Sequence, residues 1–384
     1  MQLSRRTMML GGCALGCSAA AGAETRRSSF TPGRVWTDTA GRPIFVHGGS
    51  IIKVGDLFYW YGENKEHTTG GNGVWHWGVR AYSSRDLYNW DDAGLIIPPT
   101  PEDPRSPLHP SRFVDRPHIV YNARTRKFVC WLKIMEADTQ TRAVFSADAV
   151  TGPYMLIASG LRPLGMGAGD FDLVVSPDDA KAYMYFERVH SEMICADLSD
   201  DYTGFTGYYS THFPHISPPF VREAPAYFVR NRRHYLATSG TTGYFPNPSE
   251  IAAADTYHGP WSVLGDLHRG DRSQTSFNSQ ISCVFRHPDK QDLYIALADR
   301  WLPALGGPQF ESGQDSRDVR SAFAKAFQRP PLPLSPRERT LMAPIVDISA
   351  TNTAIATHVW LPLRFDGARP YIVWRDEWSL DEFD

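Results

Sequence analysis

Leu57-Phe58-Tyr59-Trp60-Tyr61, Lys127-Phe128-Val129-Cys130-Trp131, Ala182-Tyr183-Met184-Tyr185-Phe186, His234-Tyr235-Leu236-Ala237-Thr238 and Leu293-Tyr294-Ile295-Ala296-Leu297 are five versions of one strand. Each is a short apolar run rich in aromatic or β-branched residues, preceded by turn residues. They recur at intervals of about 50–70 residues. Strand-type sequence repeating on that scale indicates blades set radially around an axis. About a dozen residues before each strand stands a polar residue: His47, Asp115, Asp170, Glu223 and Gln280. If these open the innermost strand of each blade, all five point at one central pocket. Three are carboxylates, which is enough for hydrolytic chemistry. The expected fold is therefore all-β, a five-bladed β-propeller.

Each blade follows a common grammar. The strand carrying the polar residue is followed by a turn, such as Lys53-Val54-Gly55-Asp56, Asn122-Ala123-Arg124-Thr125 or His287-Pro288-Asp289. Asn and Asp bond their own backbone there, Gly tolerates positive φ and Pro presets φ. The aromatic strand follows, then a third strand and a closing motif. The closing motifs are Leu87-Tyr88-Asn89-Trp90, Thr151-Gly152-Pro153-Tyr154, Asp201-Tyr202-Thr203-Gly204-Phe205 and His258-Gly259-Pro260-Trp261. Each places a bulky aromatic where neighbouring blades would pack face to face. The fifth blade departs from this grammar. After Asp299-Arg300-Trp301 comes an insertion over about 302–353, with a helix-like run Val319–Phe327 and a Pro-rich stretch. Loops of that length are lids, binding loops or disordered segments. The strands at His358–Leu363 and Tyr371–Trp374 are expected to finish the fifth blade. Pairing of N- and C-terminal segments is expected to seal the ring.

Composition limits the function class. The chain has 384 residues, 42% hydrophobic and 21% charged, with a formal net charge of −3. There is no basic stripe of the kind nucleic acid requires. Ser4-Arg5-Arg6-Thr7-Met8-Met9-Leu10 looks like a twin-arginine export signal, and Ala21-Gly22-Ala23 fits a small-x-small cleavage site. Residues 1–23 are thus expected to be removed, leaving a single catalytic domain over 24–384 in the periplasm or secreted. The rival reading is a lipoprotein anchored through Cys13 or Cys17. No segment reaches the roughly 20 apolar residues of a spanning helix. Cys130, Cys195 and Cys283 remain after cleavage, an odd number without close spacing, so neither a disulfide framework nor a zinc site is expected.

Val221-Arg222-Glu223-Ala224-Pro225-Ala226, Gly167-Ala168-Gly169-Asp170-Phe171-Asp172 and Phe58-Tyr59-Trp60-Tyr61-Gly62-Glu63-Asn64-Lys65 together resemble glycoside hydrolase family 43, and more narrowly its exo-β-1,3-galactanase branch. His47-Gly48-Gly49, Arg116-Pro117-His118, Thr238-Ser239-Gly240-Thr241-Thr242-Gly243, Asn278-Ser279-Gln280, Asp299-Arg300-Trp301 and Val359-Trp360-Leu361-Pro362-Leu363 follow in family order. As a set they cover nearly the whole mature chain outside the insertion.

The resemblance implies an inverting mechanism with Glu223 as general acid and Asp170 orienting it and raising its pKa. Most of the family has an aspartate base on the first blade. Here that region reads Phe45-Val46-His47-Gly48, and the galactanase-like branch shares the loss. In that branch a Gln matching Gln280 is held to position the water, helped by a Glu where this chain has Asp115, one methylene shorter. Thr139 stands near where the branch places a sugar-contacting Tyr. His47, Glu63, Thr241, Arg300 and Trp301 are the expected substrate-binding residues. Trp75 and Trp77 are further stacking candidates, since a sugar's apolar face suits an aromatic ring. Asp172 competes with Asp170 for the inward position, and Asp115 has a plausible ion pair in Arg116.

The expected activity is release of a terminal sugar, galactose from β-1,3-galactan or arabinogalactan side chains. The alternatives are an arabinofuranosidase or related exo-glycosidase, and a sugar-binding propeller without turnover. No cofactor and no metal are implied. The expected partner is an oligo- or polysaccharide, with a monomeric chain.

Overall fold

The computed structural model describes residues 26–136, 139–306 and 312–384. The expected export signal, with Cys13 and Cys17, lies outside them. The chain folds as a five-bladed β-propeller. Blade 1 is β1 (Val46–Val54), β2 (Leu57–Asn64), β3 (Val79–Ser84) and β4 (Asp91–Ile97). Blade 2 is β5 (Phe113–Asn122), β6 (Lys127–Met135), β7 (Gln140–Ala147) and β8 (Met155–Leu161). Blade 3 is β9 (Ala168–Val175), β10 (Ala182–Arg188), β11 (Glu192–Leu198) and β12 (Phe205–His212). Blade 4 is β13 (Arg222–Arg230), β14 (Arg233–Gly240), β15 (Glu250–Ala254) and β16 (Ser262–Gly265). Blade 5 has three strands, β17 (Gln280–Arg286), β18 (Tyr294–Arg300) and β19 (Thr357–Pro362). Within each blade, consecutive strands pair antiparallel. The inner strands β1, β5, β9, β13 and β17 touch one another in ring order.

The aromatic strands hold the ring together because each is buried on both faces. Side chains alternate across a strand. On β2, Phe58 and Trp60 join the core shared with blade 5, while Tyr59 and Tyr61 join the core shared with blade 2. On β6, Phe128, Cys130 and Leu132 face blade 1, and Val129 and Trp131 face blade 3. The closing motifs pack where expected: Trp90, Tyr154, Tyr202 and Trp261 each sit in or against an inter-blade core. Cys130, Cys195 and Cys283 are free, buried thiols among these apolar residues.

The C-terminal end differs in detail from the expectation. Tyr371 does not extend blade 5; β20 (Arg364–Asp366) and β21 (Arg369–Tyr371) form a separate two-stranded ribbon. Ile372 bridges in parallel to His268. The N-terminal segment lies against β19 and the C-terminal end without forming a fourth strand. Gly33 N–H donates to the His358 carbonyl of β19 at 2.7 Å, and Phe30 forms an antiparallel bridge with Trp378. The insertion leaves between β18 and β19 and contains α1 (Gln314–Ala326) and α2 (Pro336–Met342). A capping box, Ser335 with Glu338, starts α2. No helix among the described residues is long and apolar enough to cross a membrane.

One irregularity repeats in all five blades. The pairing of inner and second strand slips beside the polar residue: at His47/Ser50, Asp115/His118, Ala168/Phe171, Glu223/Ala226 and Ile281/Cys283. Each slip is a β-bulge, which bends the strand and re-aims a side chain. Gly48, Arg116 and Ala224 occupy equivalent bulge positions with φ of 60°, 52° and 48°. For Arg116 and Ala224 this left-handed backbone is strained. The second bulge position in blade 1 is Gly49, where a Cβ would lie 1.8 Å from the Tyr61 carbonyl oxygen. Gly49→Ala is therefore expected to cost about 1–3 kcal/mol, the usual range for overpacking, read as a lower urea midpoint. An unchanged midpoint would show that the bulge relaxes freely.

Candidate active site

The bulges gather four of the five inner-strand residues into one hydrogen-bonded cluster. Arg116 is its hub. Its guanidinium contacts Asp170 Oδ2 at 2.9 Å and donates to Gln280 Oε1 at 2.5 Å. Gln280 Nε2 donates to Glu223 Oε1 at 3.3 Å and to Ser239 Oγ at 3.0 Å. Trp301 Nε1 reaches Gln280 Oε1 at 3.4 Å. Lys133 bridges two carboxylates, with Nζ 2.7 Å from Asp170 Oδ1 and 3.4 Å from Asp115 Oδ2. Asp115 also accepts from Trp75 Nε1 at 2.7 Å. The partner that the sequence offered for Asp115, Arg116, instead pairs with Asp170, because the bulge turns neighbouring residues of β5 to different partners.

Burial and charge separate these carboxyls into acids and anions. Burial pushes the Glu223 carboxyl well above its ordinary range, and the Asp170 and Glu187 charges push it further; Lys133 and Arg116 oppose them. Burial would also raise Asp170, but Arg116 and Lys133 outweigh it and hold this carboxyl well below its ordinary range. Asp115 is likewise depressed: burial opposes ionisation, and Lys133, Lys65 and the Trp75 hydrogen bond overcome it. Glu63 goes the other way. Burial lifts it to about 8, despite Lys65 Nζ at 2.8 Å, and Asp115 adds to the rise. The site thus sets two carboxyls with raised pKa values, Glu223 and Glu63, beside two with lowered ones, Asp170 and Asp115.

His47 belongs to a neighbouring group. Its Nδ1 lies 2.8 Å from Asp299 Oδ1, whose other oxygen accepts from Gly48 N–H. Burial lowers the His47 pKa to about 4, against the pull of Asp299. His358 stacks on His47 with centroids 4.8 Å apart, and its Nδ1 is 3.4 Å from the same Asp299 oxygen. His47, Asp299 and His358 are the one trio among the described residues whose ligating atoms lie close enough to share an ion. The 2.8 Å contact is of hydrogen-bond length, and His47 Nε2 is buried without a hydrogen-bond partner.

The remaining expected residues divide. Trp301 lies over His47, with centroids 5.6 Å apart. Thr241 is buried, and its hydroxyl donates to the Val221 carbonyl at 3.0 Å, tying its loop to the start of β13. Arg300 is turned outward: it donates to the carbonyls of Asn278 and Phe277 and faces Trp374. Trp75 touches Asp115, whereas Trp77 packs on His67. Asp172 sits deeper, accepting from the N–H groups of Tyr227 and Leu173, and burial lifts it to about 7.

Of the partners on the second strands, Glu63, which pairs across from His47, was among the expected residues; the others were missed. Lys133 pairs across from Asp115, Ser239 from Glu223 and Asp299 from Gln280, with Glu187 opposite the bulge at Asp170. A sequence signal exists: each aromatic strand runs into one of these polar residues. Glu187 also explains Gly169, where a Cβ would lie 1.9 Å from its Oε2. Arg142, fully buried, donates to the carbonyls of Ala168 and Gly169 and so steadies the backbone entering Asp170.

A family model described as "Glycosyl hydrolases family 43" matches residues 42–300. The chain matches none of the curated proteins compared with it. Among solved structures, one described as a family 43 β-1,3-galactosidase superposes with a TM-score of 0.73 at 26% identity, covering 93% of this chain; the chain spans 65% of that one. A second β-1,3-galactosidase, with galactodeoxynojirimycin, gives 0.72 at 26% identity, covering 91% of this chain and 100% of the other. An exo-β-1,3-galactanase from Phanerochaete chrysosporium with β-1,3-galactotriose gives 0.71 at 24% identity over 92% of this chain and 68% of that one, a likeness of fold.

Proposed function

The chain belongs to glycosyl hydrolase family 43 and is a glycoside hydrolase, and we propose that it releases a terminal galactose from β-1,3-linked galactan or arabinogalactan side chains with inversion. The carrying observation is the contrast between Glu223 and Asp170. A glycosidase needs one carboxyl that is still protonated near neutral pH. Glu223 is desolvated beside an anion that Arg116 and Lys133 keep ionised. Its role is to protonate the leaving oxygen, and that of Asp170 is to hold the proton on it.

Water activation falls to Gln280 and Asp115. The Gln280 amide is pinned on its oxygen by Arg116 and Trp301, so its Nε2 faces Glu223 and Ser239. The 3.3 Å bond to Glu223 is the longer of the two, and a water or sugar hydroxyl can replace it. Asp115, ionised, is available to accept the proton. A retaining enzyme would need a carboxylate nucleophile across the sugar from the acid. Blade 1 offers His47, already engaged by Asp299, which favours direct attack by water. Galactose as the sugar is supported by the two galactosidase structures. The twin-arginine-like leader supports export, placing the enzyme where polysaccharide is met.

The test is to incubate the mature protein with β-1,3-galactan, arabinogalactan and aryl glycosides while following the anomeric protons by NMR. Galactose should appear first as the α-anomer. Initial β-product would overturn inversion, and a preference for arabinofuranosides would overturn the sugar assignment.

A further inference from the structure

The loop between β14 and β15 is built around two adjacent aromatics. Phe245 is buried in a small core with Val319 and Ala322 of α1 and Met342 of α2, so the insertion is packed onto this loop. Asn247 ties the loop down. Its side chain accepts from Gly240 N–H at 2.6 Å and donates to Thr242 Oγ1 at 2.7 Å, while Thr242 Oγ1 donates to the Phe245 carbonyl. Gly243, at φ 57°, makes the left-handed turn that precedes Tyr244. Tyr244 packs against the insertion core and reaches the active site. Its ring centroid is 6.3 Å from Trp75 and 5.6 Å from Trp301, the two indoles that donate to Asp115 and Gln280. Ser239, Tyr244, Gln280, Asp299 and Trp301 line one cavity.

We infer that Tyr244 is a substrate-contacting residue that sets specificity at the terminal sugar, its ring against the sugar's C–H face and its hydroxyl toward the sugar's polar edge, and that the insertion exists in part to hold it there. The inference rests on the glycosidase reading of the same site. Trp75, Tyr244 and Trp301 gather three rings beside Asp115 and Gln280, and carbohydrate C–H faces pack on aromatic surfaces. The hydroxyl lies in the field of Asp115, Glu63 and Asp170, and burial together with those carboxylates keeps it protonated. It is therefore available to donate to a sugar hydroxyl. The insertion meets other rims of the same face: Gly71 N–H donates to the Ser349 carbonyl, and Phe327 packs on His190. It braces Tyr244 against loops of blades 1 and 3.

Tyr244→Leu keeps apolar packing and removes ring and hydroxyl; Tyr244→Phe removes the hydroxyl alone. Both are assayed on whichever aryl glycoside the wild type cleaves best among galactopyranoside, arabinofuranoside and xylopyranoside. A failure of the galactose reading then appears in the wild-type panel and not in the variants. Tyr244→Leu is expected to raise KM about tenfold with a smaller change in kcat, and Tyr244→Phe about threefold. A KM within twofold of wild type in folded Tyr244→Leu overturns the inference. If Tyr244→Leu does not fold, Tyr244→Phe decides, and an unchanged KM there overturns it. A purely structural tyrosine would lower the melting temperature and leave KM alone.

Discussion

Glu223→Gln is expected to lower kcat on oligosaccharides by on the order of 10²–10⁴-fold, the range for loss of a general acid, with KM nearly unchanged. Glutamine has the same shape and still accepts from Gln280, but it has no proton to give. The loss should depend on the leaving group. An alkoxide must be protonated as it departs, whereas a dinitrophenolate need not be, so dinitrophenyl glycosides should retain much more of the rate. The pH profile supplies a second check. Burial and the Asp170 charge raise the Glu223 pKa, so wild-type kcat/KM should fall as pH rises through that raised value. The alkaline limb should disappear in Glu223→Gln. Retention of more than a tenth of the activity on oligosaccharides would remove Glu223 from the role of acid.

Lys133→Met is expected to produce the largest loss of stability, about 3–5 kcal/mol, as when one partner of a buried ion pair is deleted. Lys133 neutralises both Asp115 and Asp170 within a site nearly closed to solvent. Both carboxyls lie below their ordinary range in the folded protein, so they add stability above their unfolded pKa values, near 4, and lose it as pH falls through the folded values. The gap between wild type and Lys133→Met in urea should accordingly be widest near neutral pH and narrow below about pH 4. Lys133 also lowers the proton affinity of Glu223, so its removal should move the alkaline limb of activity to higher pH. Equal urea midpoints for the two proteins would show that water solvates the carboxylates in place of the lysine.

Much of the architecture was legible in the chain because a propeller blade is a local object. Phe58-Tyr59-Trp60-Tyr61 alternates between two inter-blade cores, and the turn and closing motifs lie within a few tens of residues of it. The helical run read over Val319–Phe327 falls in α1, which begins earlier, at Gln314, and ends at Ala326. The end of the fifth blade was not legible. Tyr371 and Ile372 look like any other strand, and only the tertiary structure pairs the first with β20 and the second with the 267–269 segment.

At the site, residue identities and strand positions are properties of the sequence. That Glu223, Asp170, Asp115 and Gln280 begin inner strands follows from the repeat period. Their partnerships do not. Arg116 is next to Asp115 in the chain yet binds Asp170, because the bulge at Arg116 turns its side chain toward the neighbouring blade. Arg300 sits between Asp299 and Trp301, two residues of the cluster's surroundings, yet faces outward because successive strand residues alternate. Tyr244 was invisible as a site residue, since it lies outside the strand repeat and reaches the pocket through a loop clasped by an insertion. Sequence by itself determined the blades and which residues stand at their inner edge, because strand periodicity is encoded locally. Only the tertiary structure decided which carboxyl keeps its proton, because that depends on cations and desolvation contributed by different blades.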